Sequence, residues 1–159
     1  MSERLTFRAA ERRDTPLILY FIKQLAVYEK LSDEVTTTGE ELREQLFEKK
    51  SAEVLFLCED GKEIGFAVFF HNFSTFLGRA GLYLEDLFIL PEHRGKGYGK
   101  AAMKKLAQIA VERGYGRFEW SCLDWNRPSI EFYRSLGAEP MEEWTVYRLA
   151  GDALHKLAE

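Results

Sequence analysis

The chain has 159 residues, 46% of them hydrophobic and 30% charged, which fits one domain able to bury a core without disulfide or metal staples. Its 26 Asp and Glu against 22 Lys and Arg leave a net charge of -4, a balance that disfavours a nucleic-acid binder and suits a cationic substrate. No apolar run reaches the length of a membrane span, and Met1-Ser2-Glu3-Arg4 leads into alternation instead of the apolar block of a signal peptide.

In chain order, Leu5-Thr6-Phe7-Arg8 alternates as a first strand. Asp14 or Thr15 followed by Pro16 starts a helix with Leu17, Phe21, Leu25 and Tyr28 along one side. Glu29 to Glu34 reads as a polar loop. Thr38 with Glu41 three residues on is a capping box opening a second helix, with Leu42 and Leu46 facing inward. Val54 to Cys58 and Ile64 to Phe70 form a hairpin joined through Asp60-Gly61. Arg117 to Cys122 is a strand parallel to the Leu82 strand if the helix between them is an ordinary crossover. Asn126 N-caps a short helix with Pro128 in its first turn and Gly137 at its end. Trp144 to Leu149 is a last strand, and Asp152 to Leu157 a terminal amphipathic turn. Cys58 and Cys122 fall in predicted strands without C-x-x-C spacing, as reduced thiols of a cytoplasmic protein do. His71, His93 and His155 share no metal-like spacing, so no metal site is expected and the histidines receive no chemistry.

The informative stretch runs from Leu82 to Gly114. Leu82 to Leu90 is apolar at odd and even positions, as in a strand covered on both faces, and Pro91 ends it. Arg94-Gly95-Lys96-Gly97-Tyr98-Gly99-Lys100 follows, then a helix with Met103, Leu106, Ala107 and Ala110 on one face and Gly114 after its end. Strand, glycine loop and helix in that order aim free backbone N–H groups and a positive dipole end at one point, which suits phosphate. Neither the dinucleotide pattern nor the P-loop pattern is met. Read alone, the loop is either a phosphate cradle or a tight turn with solvated charges.

Arg94-Gly95-Lys96-Gly97-Tyr98-Gly99, in this position and in this order of elements, resembles the loop of the GNAT superfamily of acetyl-CoA-dependent N-acetyltransferases. The resemblance extends over nearly the whole chain. Tyr28 to Asp33, Leu82-Tyr83-Leu84-Glu85-Asp86, and Asp124 to Tyr133 look like the diamine and polyamine branch. Glu29 to Asp33, Ser74-Thr75 and Leu123 to Asn126 are closer to its thialysine N-epsilon-acetyltransferase-like sub-group. Where the spermidine-type pattern places an acidic residue and a tryptophan, this chain has Ser74-Thr75-Phe76. The resemblance implies a single GNAT domain over residues 1–159 with an α/β (α+β) fold. Its mixed, mostly antiparallel central sheet carries a parallel pair at the cofactor site and is flanked by helices. It also implies acetyl-CoA as co-substrate, direct attack through a ternary complex, and a homodimer.

The chemistry has a basis independent of the family. An amine with a pKa of about 10.4 is protonated at neutral pH and needs a base before it can attack a thioester. Glu85, in an apolar strand, is expected to have a raised pKa and to accept that proton, directly or through water; its alternative role is a carboxylate paired within the sheet or at a dimer contact. Asp86 is expected on the opposite strand face, which argues against a dyad. Tyr133 is either a core tyrosine or, as the resemblance implies, the acid that protonates the departing thiolate. Asn126 and Ser129 touch the pantetheine or merely cap a helix. By resemblance, a bulged strand at Leu87, Phe88 and Ile89 offers its backbone to the pantetheine amides and the acetyl carbonyl, and Arg94 to Lys100 grip the pyrophosphate. The acceptor amine is expected at Tyr28, Glu29, Glu85 and Glu142, an acidic and aromatic lining suited to a cation. For Glu29 and Glu142 a solvated surface carboxylate is the alternative.

The expected activity is transfer of acetyl from acetyl-CoA to a primary amine of a small cationic substrate, namely a thialysine-like amino acid, a diamine or a polyamine. Acetylation of a protein N-terminus or lysine, and a non-catalytic acyl-CoA-binding module, remain as alternatives. The joint presence of Glu85 and Tyr133 favours the enzyme over the binding module.

Overall fold

Most of the local signals have a physical counterpart in the computed structural model, which describes residues 4–159; Met1-Ser2-Glu3, read as leading into the first strand, lie outside the described residues. Pro16 occupies the first turn of helix α1 (Thr15–Tyr28), where its missing N–H has no intrahelical acceptor to lose. The Thr38 and Glu41 side chains cap each other's backbone ahead of α2 (Gly39–Arg43), which continues as a π-helical turn over Glu44–Glu48. Asp60 and Gly61 both adopt left-handed backbone, at φ 51° and 82°, and close β2 (Glu53–Glu59) onto β3 (Lys62–Ser74) with a two-residue turn. At the end of α3 (Tyr98–Glu112), Gly114 turns left-handed so that the Tyr115 N–H reaches the Ala110 carbonyl at 2.9 Å, a Schellman ending.

The described residues form two compact units that meet in sequence at Ser121 and Cys122. The first is a five-stranded sheet in the order β1-β2-β3-β4-β5, with β1 at Leu5–Ala9, β4 at Arg79–Ile89 and β5 at Phe118–Trp120. Neighbours are antiparallel except β4 and β5, which are parallel, as the crossover through α3 predicts. Both sheet faces are covered. Ile18, Phe21 and Leu25 of α1 pack on Val54, Phe56, Cys58, Phe66 and Phe88, with Leu42 and Leu46 joining from the second helical segment. On the other face Leu5, Leu57 and Ile64 meet Tyr98 and Ala102 of α3. Double coverage explains why β2 and the centre of β4 read as near-continuous apolar runs.

The second unit holds α4 (Arg127–Ser135) and α5 (Gly151–Leu157). Asn126 N-caps α4 by accepting from the Ser129 N–H at 3.4 Å, and Gly137, at φ 91°, follows its end. The strand expected over residues 144–149 does not form. Trp144, Val146 and Tyr147 are 77%, 82% and 92% exposed within this unit, whose helices offer no strand edge to pair with. Alternation supplies a face, but a strand also needs a neighbour. The strand expected from Arg117 to Cys122 likewise shrinks to Phe118–Trp120, leaving Cys122 outside it. Among the described residues no helix is long and apolar enough to cross a membrane.

Gly65 sits where β3 meets β4, opposite Ile89. A Cβ there would lie 2.3 Å from the Phe88 carbonyl oxygen, a backbone atom that cannot swing aside. Gly65→Ala is predicted to destabilise the fold by about 1–3 kcal/mol or more, read as a fall of several degrees in Tm by calorimetry. An unchanged Tm would show that the two strands separate without cost.

Candidate active site

The site begins with how β4 divides its backbone between two neighbours. It pairs with β3 from Arg79 to Ile89 but with β5 only from Leu82 to Leu84. Among the described residues, the β5-facing backbone of β4 joins no strand ladder beyond Leu84, and Leu87, Phe88 and Ile89 lie on this stretch. Their other edge remains fixed to β3 through Ala67, Phe66 and Gly65. The expected bulge is present, but farther back: Val68 pairs with Asp86 and Phe69 with Leu84, so Glu85 is the extra residue.

Strict alternation puts Glu85 and Asp86 on opposite faces; the bulge interrupts the ladder at this point, and the charge of Glu85 acts on Asp86. Glu85 is exposed, so the desolvation argument made for it does not hold. Burial falls on Asp86 instead. It is the first cause, followed by the charges of Glu85 and Glu29, in pushing the Asp86 carboxyl up to about 7. Glu29, the residue following α1, is also raised, by burial first and then by Glu85. Three carboxylates thus share one locality, and Asp86 is the member that sequence reasoning set aside. Two adjacent acids within an otherwise apolar strand were the available signal.

The loop after β4 forms a single turn of 3-10 helix over Pro91–His93 before Gly95 and Gly97 take left-handed backbone at φ 80° and 81°. Neither glycine has an atom within 4 Å of where a Cβ would stand, so backbone conformation, not crowding, calls for glycine. Gly97 is the N-cap of α3 and no side chain caps it, so helix geometry leaves the N–H groups of the first turn, Tyr98 to Lys100, without intrahelical acceptors. Such a terminus attracts anions. Lys100 is exposed.

Three side chains expected on the cofactor are engaged within the protein. Lys96 Nζ donates to Glu59 Oε2 at 2.9 Å, and the Tyr98 hydroxyl donates to the same oxygen from a buried position. Arg94 Nε donates to the Ile89 carbonyl at 2.7 Å, and its guanidinium lies over the rings of Tyr28 and Phe88 at 4.8 and 5.2 Å. Arg94 therefore joins the loop to the end of α1, where Tyr28 and Glu29 lie.

Tyr133 belongs to α4 in the second unit, half-buried with its ring 5.5 Å from that of Phe132. Asn126 is buried at the start of that helix and caps it, the role weighed against pantetheine contact. Ser129 supplies the capped N–H, and Glu142 is exposed in a turn. Among the described residues no group of three or more His, Cys, Asp or Glu side chains is placed to hold a metal ion.

Residues 19–138, most of the chain, match the acetyltransferase (GNAT) family. The chain belongs to that family. Thialysine N-epsilon-acetyltransferase of Sus scrofa is 36% identical over 163 residues, covering 95% of each protein. L-ornithine N5-acetyltransferase of Arabidopsis thaliana is 31% identical, covering 94% of this chain and 86% of its own length. Among solved structures, an integron cassette protein from the mobile metagenome of V. cholerae superposes with a TM-score of 0.82 at 29% identity, covering 99% of both chains. The protein is an acetyltransferase with the GNAT fold, and the two enzymes just described are named for thialysine and for L-ornithine.

In this GNAT acetyltransferase the raised Asp86 pKa has a consequence for stability. An unfolded Asp releases its proton near its ordinary pKa of about 4, whereas folded Asp86 holds it to about 7. Stability contributed at this site therefore falls as pH rises through that window, and the loss is complete above about 7. Asp86→Asn is predicted to be more stable than wild type at about pH 8, by up to about 4 kcal/mol, and to lose that advantage by about pH 4. Thermal unfolding across this range measures it. A variant that tracks wild type at every pH contradicts the assignment.

Proposed function

We propose that this acetyltransferase moves the acetyl group of acetyl-CoA directly to the primary amine of a small cationic substrate, within a ternary complex. The observation that carries the reading is the carboxylate cluster of Glu29, Glu85 and Asp86, located where β4 parts from β5. A cationic amine is attracted there by charge, and the same carboxylates can take its proton.

In this reading the coenzyme's pyrophosphate lies against the N–H groups at the start of α3. Its pantetheine runs along Leu87, Phe88 and Ile89, in the manner of an added strand. Glu85, exposed on the bulge, meets the ammonium. Glu85 and Asp86 then accept the proton as a coupled pair, directly or through water, with the Asp86 carboxyl tuned to about 7, near the operating pH of a general base. The neutral amine attacks the thioester carbon, and the backbone at the open stretch of β4 stabilises the oxyanion. As the tetrahedral intermediate collapses, Tyr133 gives its phenolic proton to the departing thiolate, and the proton that leaves the intermediate's nitrogen restores the phenol through solvent.

The acceptor is a thialysine-like or ornithine-like amino acid or a short diamine in preference to a long polyamine. The names of the relatives support an amino-acid substrate. The region that spermidine-type enzymes make acidic is here Ser74-Thr75-Phe76, with Ser74 buried and accepting the Leu77 N–H at 3.2 Å, and Phe76 fully exposed. A polyamine's additional ammonium groups find fewer partners there. Each charge-assisted hydrogen bond that a substrate forgoes costs about 1.5–3 kcal/mol, or roughly ten- to a hundredfold in kcat/KM. Thiol release from acetyl-CoA should therefore be faster, at equal low concentration, with thialysine, ornithine or putrescine than with spermine or a lysine peptide. A clear preference for spermine would overturn the acceptor assignment, and turnover confined to the peptide would favour a protein acetyltransferase.

A further inference from the structure

Glu59 ends β2 on the sheet face that Leu57 shares with α3, and its side chain is only 6% exposed. A buried carboxylate is costly unless its lone pairs are filled. Here they are filled from one segment. His93 Nδ1 lies 2.8 Å from Oε1, while Lys96 Nζ at 2.9 Å and the Tyr98 hydroxyl both donate to Oε2. Positions 93, 96 and 98 bracket the two left-handed glycines, Gly95 and Gly97.

We propose that Glu59 is a positioning residue that fixes the glycine loop from beneath, so that the loop's backbone N–H groups are held in the arrangement that receives the coenzyme's pyrophosphate. This rests on the coenzyme reading of the loop given above. A loop with two glycines is expensive to order, and a ligand that must order it binds correspondingly less tightly. Three side-chain anchors on one carboxylate meet that cost before the ligand arrives. They also draw the side chains of Lys96 and Tyr98 inward, leaving the intervening main chain as the ligand-facing surface. The carboxylate stays ionised throughout: the Tyr98 hydroxyl first, then Lys96 and His93, hold it down at about 2 against the opposing effect of burial.

Glu59→Gln keeps the shape and removes the charge. In the ligand-free variant, amide hydrogen exchange of residues 93–100 is expected to speed up at least severalfold, with exchange in α1 and the β2–β3 hairpin unchanged. In the assay, KM for acetyl-CoA is expected to rise roughly ten- to a hundredfold while kcat stays within about twofold, because the chemistry is untouched once the coenzyme is seated. Glu59→Asp, which restores the charge on a shorter arm, is expected to recover part of both effects. If Glu59→Gln does not fold, His93→Ala removes one anchor alone and is expected to produce smaller changes of the same kind. A wild type that binds coenzyme A by calorimetry, matched by a folded Glu59→Gln in loop exchange and in KM, overturns the anchoring role alone. A fall in kcat at constant KM also overturns it. A wild type that binds no coenzyme A overturns the reading of the loop, and the positioning role with it.

Discussion

The proposed site depends on β4 being a full partner to β3 and only a brief partner to β5. A ladder of three parallel pairs, Leu82 to Leu84 against Phe118 to Trp120, is enough to hold the crossover and set its direction. It then stops, and the strand continues for another five residues, Glu85 to Ile89, with one edge of its main chain free of strand pairing. Peptide groups inside a protein are strong donors and acceptors that need partners. A ligand bearing amide groups can supply them, and the α3 terminus just beyond can take its phosphates. Gly65, which lacks a Cβ, lets β3 lie close against the paired side of this stretch.

Two carboxylates show how surroundings decide chemistry. Glu59 and Asp86 belong to the same residue class and both lie in the sheet of the first unit. Glu59 is ringed by a hydroxyl, an ammonium and an imidazole and is held at about 2, a permanent anion suited to anchoring. Asp86 is sheltered from water beside two further acids and is pushed up to about 7, where it can exchange protons with a substrate. Environments that drive like groups apart in this way separate structural from chemical roles. Arg94 supplies a physical link between the two regions, since it leaves the loop to cap the Ile89 carbonyl and lie across Tyr28.

What the sequence revealed and what it hid follow from the range of the interactions involved. The Thr38-Glu41 box, the Asp60-Gly61 turn, the Gly114 ending and the Asn126 cap are local, and each appears where its residues imply. The parallel β4–β5 pair follows from the strand–helix–strand crossover through α3 and was legible from the order of elements. The bulge at Glu85 was not legible in position, because one added residue leaves no mark on an apolar run covered on both faces. The adjacent acids Glu85 and Asp86 were visible in the strand, but the burial that raises Asp86 and the nearness of Glu29 were not. Glu59 was invisible because its partners lie 34, 37 and 39 residues away, and a strand-end glutamate looks like any solvated one. Residues 144–149 alternate as a strand does, yet no edge within their own unit receives them, and pattern alone could not report that.

Coenzyme binding along the open stretch of β4 is the claim on which the rest stands, and backbone amide NMR tests it most directly. Titrating unlabelled coenzyme A into the nitrogen-labelled protein should shift the amides of Leu87, Phe88 and Ile89 together with those of Gly95 to Lys100, saturating with one common affinity. Saturable binding that leaves both groups of amides unmoved, and displaces resonances elsewhere in the sheet, would contradict it.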